Sequence, residues 1–441
     1  MKKIRVIALL CLALVPLWVH ADYDLAYRLS GGGAMMMPDG KVDQWIERPT
    51  LGGSFAVEFW PTGKWKCLEQ WNNASVGVGV KYLNLGNDAK LGSAFVAHAY
   101  MNQPFYNGTH FRIGARPSVG LAAVTKTYRN TLPDEVAPYT KARDAQGKLL
   151  ANWSIGSILN AYLAMELYMD FPIKDGWEIT LNGGWQHISN GSFMHPNSGY
   201  NMFGGELGLR YHPNTPKTPN TPSTQSSNKS SNRQSSDRPI DQHWAIELSA
   251  TGGAKQNYYA DNQHGQRFYG VATLKAAAYW VPVAVFRLGA GVDAFYDGYY
   301  AAVNDEFEKE NPAGTPLTYF GKTYLRTSDV KNCFRVGVSI QPEFIIGKLT
   351  AGIHVGFYVF DSVKNLEPYD QAKKAADEGQ PLQRGIFYAY DFSKASNYQD
   401  GWCYMQFVLK YHVLDHLFVQ LGLKTHGVRA EFIDAGLGVS F

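Results

Sequence analysis

The chain has 441 residues, with 41 Lys and Arg against 38 Asp and Glu and a formal net charge of +3 at pH 7. So even a balance offers no footing for nucleic acid, and four scattered cysteines give neither a disulfide framework nor a metal-binding spacing. Glycine (44 residues) and aromatic residues (14%) are abundant, mean hydropathy is −0.26, and beyond the N-terminal segment no stretch approaches the roughly 18 apolar residues of a spanning helix.

Residues 1–21 open with Lys2, Lys3 and Arg5, continue as an apolar run through Val19, and end Val-His-Ala before Asp22. This reads as a cleaved secretory signal peptide, too short and wrongly flanked for a membrane span. Cys11 has no small residue before it, which speaks against a lipoprotein anchor.

From 22 to 212 the pattern is one of short segments with one apolar face and one polar or small face. Strands are expected near 25–33, 54–60, 75–85, 92–103, 109–124, 154–171, 177–190 and 201–211. The alternation is clearest where Ala161, Leu163, Met165, Leu167, Met169 and Phe171 oppose Tyr162, Ala164, Glu166, Tyr168 and Asp170. Tight turns are expected around Pro104 and from Pro172 to Gly176, and longer segments near 35–52 and 126–153 on the other side.

Residues 213–242 turn to Pro, Ser, Asn and Thr without an apolar anchor, and read as a disordered linker. The strand pattern resumes over 243–441, near 243–252, 267–280, 285–299, 333–344, 349–361, 402–412, 417–427 and 433–441. It ends with Leu437, Val439 and Phe441 at period two.

The fold expected is all-β: an antiparallel transmembrane outer-membrane β-barrel, repeated as two tandem eight-stranded units. One 16-stranded barrel is the alternative. Charged residues at inward parity favour the smaller barrels, whose interiors side chains can fill. They are Glu58, Arg112, Arg116, Glu166, Glu178, Glu206 and Arg210 in the first half. In the second half they are Arg287, Asp293, Arg335, Glu343, Lys410 and Lys424. With both ends of each barrel in the periplasm, the long loops are extracellular. Trp60, Trp177, Trp185, Trp280 and Trp402 are expected as interfacial girdle residues, and His195 in solvent.

One stretch breaks the rule of an apolar outer face. On the strand from Trp177, His187 and Ser189 share parity with Trp177, Ile179, Leu181 and Trp185. Polar groups on a lipid face are costly unless they are used. At i and i+2 their Cα atoms lie roughly 6.5–7 Å apart, close enough for the imidazole to reach the hydroxyl. A base beside a serine, oriented by a third group, is the minimum of an activated nucleophile. Asn201, outward on the following strand, is the candidate orienting group. Asn190 and Gly191 are placed to supply an amide donor and a backbone N–H to an oxyanion. The bland reading is a polar girdle position near the headgroups.

The run His187-Ile188-Ser189-Asn190-Gly191, followed by Pro196-Asn197-Ser198-Gly199 and a closing strand, resembles the outer-membrane lipid A 3-O-deacylases, the PagL family. The resemblance covers the first half of the chain. It implies an eight-stranded barrel with a serine esterase site on its lipid-facing outside. His187 would be the general base, Ser189 the nucleophile, and Asn190 with the Gly191 amide the oxyanion donors. The family's triad glutamate falls on Asn201, which can orient an imidazole but cannot stabilise imidazolium by charge. Glu206, the nearest carboxylate, has inward parity.

In the second repeat His426 has inward parity, and Val428 and Arg429 stand where Ser and Asn would be. That half is expected to be catalytically silent. The function expected is therefore removal of an ester-linked acyl chain from lipid A or lipopolysaccharide in the outer membrane. Neither a cofactor nor a metal is implied by any spacing. The competing expectations are a non-catalytic surface barrel and, with a 16-stranded closure, a porin.

Overall fold

The computed structural model describes residues 23–39, 41–61, 66–136, 142–213, 243–256, 267–299, 316–319, 322–325, 330–361, 403–427 and 429–441. The expected signal segment 1–21, Trp402, Val428 and all but the first residue of the expected linker lie outside them.

The first half forms β1 (Tyr23–Met36), β2 (Thr50–Pro61), β3 (Ser75–Asn84) and β4 (Ser93–Asn107), then β5 (Arg112–Val124), β6 (Leu159–Lys174), β7 (Trp177–Ser189) and β8 (Tyr200–Tyr211). Each strand pairs antiparallel with the next, and β8 returns to β1, setting Tyr27 against Tyr211 and Gly33 against Gly205. The second half forms β9 (His243–Lys255), β10 (Tyr269–Val283) and β11 (Phe286–Asp297), then a separate hairpin of β12 (Pro316–Tyr319) and β13 (Lys322–Leu325). It continues with β14 (Phe334–Ile346), β15 (Leu349–Asp361), β16 (Cys403–Leu414), β17 (Leu417–His426) and β18 (Arg429–Ser440), which closes on β9. There are thus two closed eight-stranded barrels, and the 16-stranded alternative does not form. Each half satisfies its own edge strands, as closure within a bilayer demands.

The outer faces are apolar in both units. Leu29, Leu167 and Leu207 are each at least 60% exposed on the first, and Trp244 and Leu274 are as exposed on the second. Such surface is tolerable only against lipid, so the strands are the membrane-crossing elements.

Inside the first barrel the charges expected there line the lumen; all but Arg116 form ion pairs, and Arg116 donates through Nε to Asn102 Oδ1 at 2.6 Å and lies over the rings of Tyr100 and Tyr168. Arg210 lies 2.7 Å from Glu58, 2.6 Å from Asp170 and 2.8 Å from Glu178. Arg112 also pairs with Glu178, and Tyr100 donates to Glu58 at 2.8 Å. Lys81 sits 2.8 Å from Glu206, which also accepts from Ser54 at 3.0 Å. Toward the long-loop end the lumen turns apolar, filled by Met36, Val42, Leu83, Leu91, Val96, Ile155, Ile188 and Met202 among others. The second barrel is filled similarly. Glu343 accepts from Arg287 at 2.7 Å, Lys410 at 2.7 Å and His354 at 2.8 Å, and Lys424 pairs with Glu431.

Three expectations need correction. Proline does not end the strands at Pro104 or Pro172: β4 runs on to Asn107 and β6 to Lys174, each through a register shift beside the proline. The bulges leave Phe105 and Ile173, the residues after each proline, without a partner, and prolines in strands concentrate at such irregularities. The β6–β7 turn consequently shrinks to Asp175 and Gly176, both at positive φ (52° and 83°), the two-residue geometry that matches strand twist. Residues 154–158 are not strand, since β6 begins at Leu159. Trp60 is not a girdle residue. It shares parity with Glu58, and its ring faces Arg112 at 4.7 Å and Arg210 at 5.6 Å inside the barrel.

Removing Arg210 leaves three buried carboxylates short of a partner. Arg210→Met is expected to destabilise the first barrel by about 3–5 kcal/mol, read as a lower urea midpoint in detergent micelles. Leu167→Ala on the lipid face serves as the control and should barely move it.

Candidate active site

The placement of the site follows from what lies on the other face of β7 and β8. Ile188, Tyr200 and Met202 are each 0% exposed in the apolar plug of the lumen. Their neighbours along the strands, His187, Ser189 and Asn201, must therefore point outward. The ladder sets His187 directly opposite Asn201.

These three side chains form a continuous chain. His187 Nε2 is 2.8 Å from Ser189 Oγ, and His187 Nδ1 is 2.8 Å from Asn201 Oδ1. Trp185, two residues before the histidine, stacks on it with 5.5 Å between ring centres and 13° between planes. Its indole N–H donates to the same Asn201 Oδ1 at 3.2 Å. A serine hydroxyl against an imidazole whose far nitrogen is held by a carbonyl oxygen can act as a base-activated nucleophile.

The loop between β7 and β8 closes over this group. Gly199 has φ +74°, and a Cβ there would lie 2.9 Å from His187 Cε1 and 2.9 Å from Ser189 Cβ. Only glycine takes that backbone shape at so close an approach. The segment 154–157 braces the loop from beneath. The Ser154 carbonyl accepts from the N–H groups of Ser198 and Gly199, both at 2.9 Å. Ile155 bridges to Asn197, and Tyr200 is held through its hydroxyl by Asn152 at 2.6 Å.

Asn190 is buried beside Ser189, yet its donors meet the loop. Its backbone N–H goes to Asn197 Oδ1 at 2.9 Å and its side-chain amide to Ser157 Oγ at 2.9 Å. Gly191 follows at φ +61°, where the chain leaves the strand. The structure thus brings His187, Ser189 and Asn201 into hydrogen-bonded contact. Asn190 is adjacent but turned to its supports.

Glu206 stays in the lumen with Lys81, away from the imidazole. His195, in the loop between β7 and β8, takes no part in the chain of His187, Ser189 and Asn201. His426 points into the second lumen, where Tyr358 Oη lies 2.8 Å away and Glu431 3.4 Å. Among the described residues no group of three or more His, Cys, Asp or Glu side chains is arranged to hold a metal ion.

Five contributing residues are given no role by the sequence. Trp185 looked like one more girdle aromatic. Gly199 carried a recognisable signal, a glycine closing Pro-Asn-Ser-Gly, but no role. Asn152, Ser154 and Ser157 are brought to the site by tertiary packing alone.

Residues 51–210 match the family model described as Lipid A 3-O-deacylase (PagL). Residues 244–372 and 385–441 match a second, Acyloxyacyl hydrolase, C-terminal domain. Nothing among the curated proteins matches the chain. Among solved structures, the outer membrane enzyme PagL is similar at 12% identity, over 42% of this chain and 98% of its own, with a TM-score of 0.25. Neisserial surface protein A (NspA) is similar at 9% identity, over 44% of this chain and 97% of its own, also at 0.25.

A methyl group at Gly199 would meet the Ile188 carbonyl oxygen at 2.7 Å as well as His187 and Ser189, so the loop or the site must shift. Gly199→Ala is expected to slow fluorophosphonate labelling of Ser189 on the order of 10- to 100-fold, with the heat-modifiable gel shift of a folded barrel retained.

Proposed function

Since its first barrel belongs to the lipid A 3-O-deacylase (PagL) family, we propose that this protein is an outer-membrane serine esterase that hydrolyses an ester-linked acyl chain of lipid A. The observation that carries the reading is the Ser189–His187–Asn201 chain, two contacts of 2.8 Å on the outer face of a barrel. A substrate already lying in the leaflet reaches such a site from the side, without a channel. Export by a cleaved signal over 1–21 and a linker over 213–242 joining two domains, 22–212 and 243–441, belong to the same reading. So does a second domain without catalysis.

In this mechanism Ser189 Oγ passes its proton to His187 Nε2 and attacks the ester carbonyl carbon. The Gly191 N–H and the Asn190 amide, once the latter turns from Ser157, stabilise the tetrahedral oxyanion. The tetrahedral species collapses, His187 returns the proton to the departing alkoxide, and an acyl-enzyme remains. Water, deprotonated by the same imidazole, then releases the fatty acid and restores Ser189. Asn201 holds the ring in place but leaves the transient imidazolium without an adjacent negative charge, so a slow turnover is expected.

Mass spectrometry of lipid A from cells producing either form tests this. Wild type should yield a species lighter by one acyl chain, and Ser189→Ala should yield none. His187→Ala should lower kcat by roughly 10²- to 10⁴-fold, the usual worth of a general base. Identical acylation with and without Ser189 would sink the esterase in favour of a non-catalytic surface barrel. Asn201, standing where the family has glutamate, is the observation that favours that second reading.

A further inference from the structure

We propose that Trp185 is a positioning residue for this reaction: its indole N–H fixes the orientation of Asn201 and, through it, the tautomer of His187 that Ser189 requires. The inference rests on the esterase reading above.

The problem it solves comes from the neutral side chain at position 201. A carboxylate can only accept, so whichever oxygen faces His187 Nδ1 draws the proton there and leaves Nε2 bare as a base. A primary amide is two-faced. Turned by half a rotation, Asn201 would present its NH₂ to Nδ1, which would then have to be the acceptor. The proton would move to Nε2, and Nε2–H would donate to Ser189 Oγ instead of taking its proton. The pair would look the same at 2.8 Å and be inert as a nucleophile. With His187 as its sole partner, little would separate the two orientations.

Trp185 breaks the tie. Its Nε1 lies 3.2 Å from the same Asn201 oxygen that meets His187 Nδ1 at 2.8 Å. An indole N–H donates and never accepts, so the atom it faces must be oxygen. Turning the amide would set donor against donor and leave the indole N–H without its acceptor in a part-buried contact. With the oxygen fixed, His187 Nδ1 must carry the proton and Nε2 must accept from Ser189.

The ladder makes the contact possible. Trp185 and His187 share a face two residues apart, Asn201 lies opposite His187, and Trp185 reaches it on the diagonal. The near-parallel stack of the two rings holds the imidazole plane toward that oxygen.

The test is a mutant cycle on the full-length protein in detergent micelles, using ¹⁵N-histidine spectra to read the His187 tautomer beside kcat and KM. Trp185→Phe keeps the ring and removes only the donor. It should shift His187 from the Nδ1–H form to a mixture and lower kcat about tenfold with little change in KM. In an Asn201→Asp background, where position 201 can only accept, the same change should leave the tautomer at Nδ1–H and the loss in kcat should vanish.

A His187 tautomer unmoved by Trp185→Phe overturns the proposal, as does an equal loss of kcat in both backgrounds, which would mark a purely structural aromatic. A tautomer shift in a protein whose lipid A stays fully acylated supports the Trp185 assignment while sinking the esterase reading.

Discussion

The constraint on which the rest depends is the alternation of side chains on strands locked into a closed ladder. Every residue of β7 and β8 must face either the lumen or the lipid, and a slip of one position would exchange the two sets. The slip is barred where it would matter most. Ile188, Tyr200 and Met202 are driven into an apolar plug, and the same geometry drives His187, Ser189 and Asn201 out. The candidate site is therefore positioned by the hydrophobic effect acting on residues that take no part in its chemistry.

The lumen solves the complementary problem. Charges removed from water are tolerable only when paired with good geometry, and the first barrel gathers Glu58, Asp170 and Glu178 around Arg210 for this reason. That network lies toward the turn between β6 and β7, where Asp170 and Glu178 flank Asp175 and Gly176. The plug lies toward the loop that carries Gly199. One barrel thus holds an ionic half and an apolar half, and His187, Ser189 and Asn201 sit over the apolar one. Glu206, the nearest carboxylate in sequence, is engaged by Lys81 and Ser54 in the lumen.

Much of this is legible in the sequence because period-two alternation is a local property. The strand count, the inward charges and the shared face of His187, Ser189 and Asn201 all follow from parity. What parity cannot carry was misread or missed. The strand ends at Pro104 and Pro172 depend on bulges, which belong to a pair of strands and not to one. Residues 154–158 read as strand by composition, yet they brace a loop some forty positions later through the Ser154 carbonyl. Trp60 was read by its residue type, although its parity with Glu58 already placed it inside. Trp185 keeps the outward face expected of it, while its contact with Asn201 depends on the pairing of two strands.

In the proposed esterase, the outward position of the Ser189 group also sets where the products would go. Both halves of a cleaved lipid, the shortened amphiphile and the free acyl chain, are membrane-soluble and are released into the leaflet that supplied the substrate. No aqueous phase carries them off. Turnover on such a surface is governed by two-dimensional exchange: the fluidity of the leaflet, the crowding of its headgroups, and the rate at which spent lipid drifts away from β7. The bilayer is thereby at once the solvent, the substrate reservoir and the product sink, and its physical state becomes a kinetic variable of the protein.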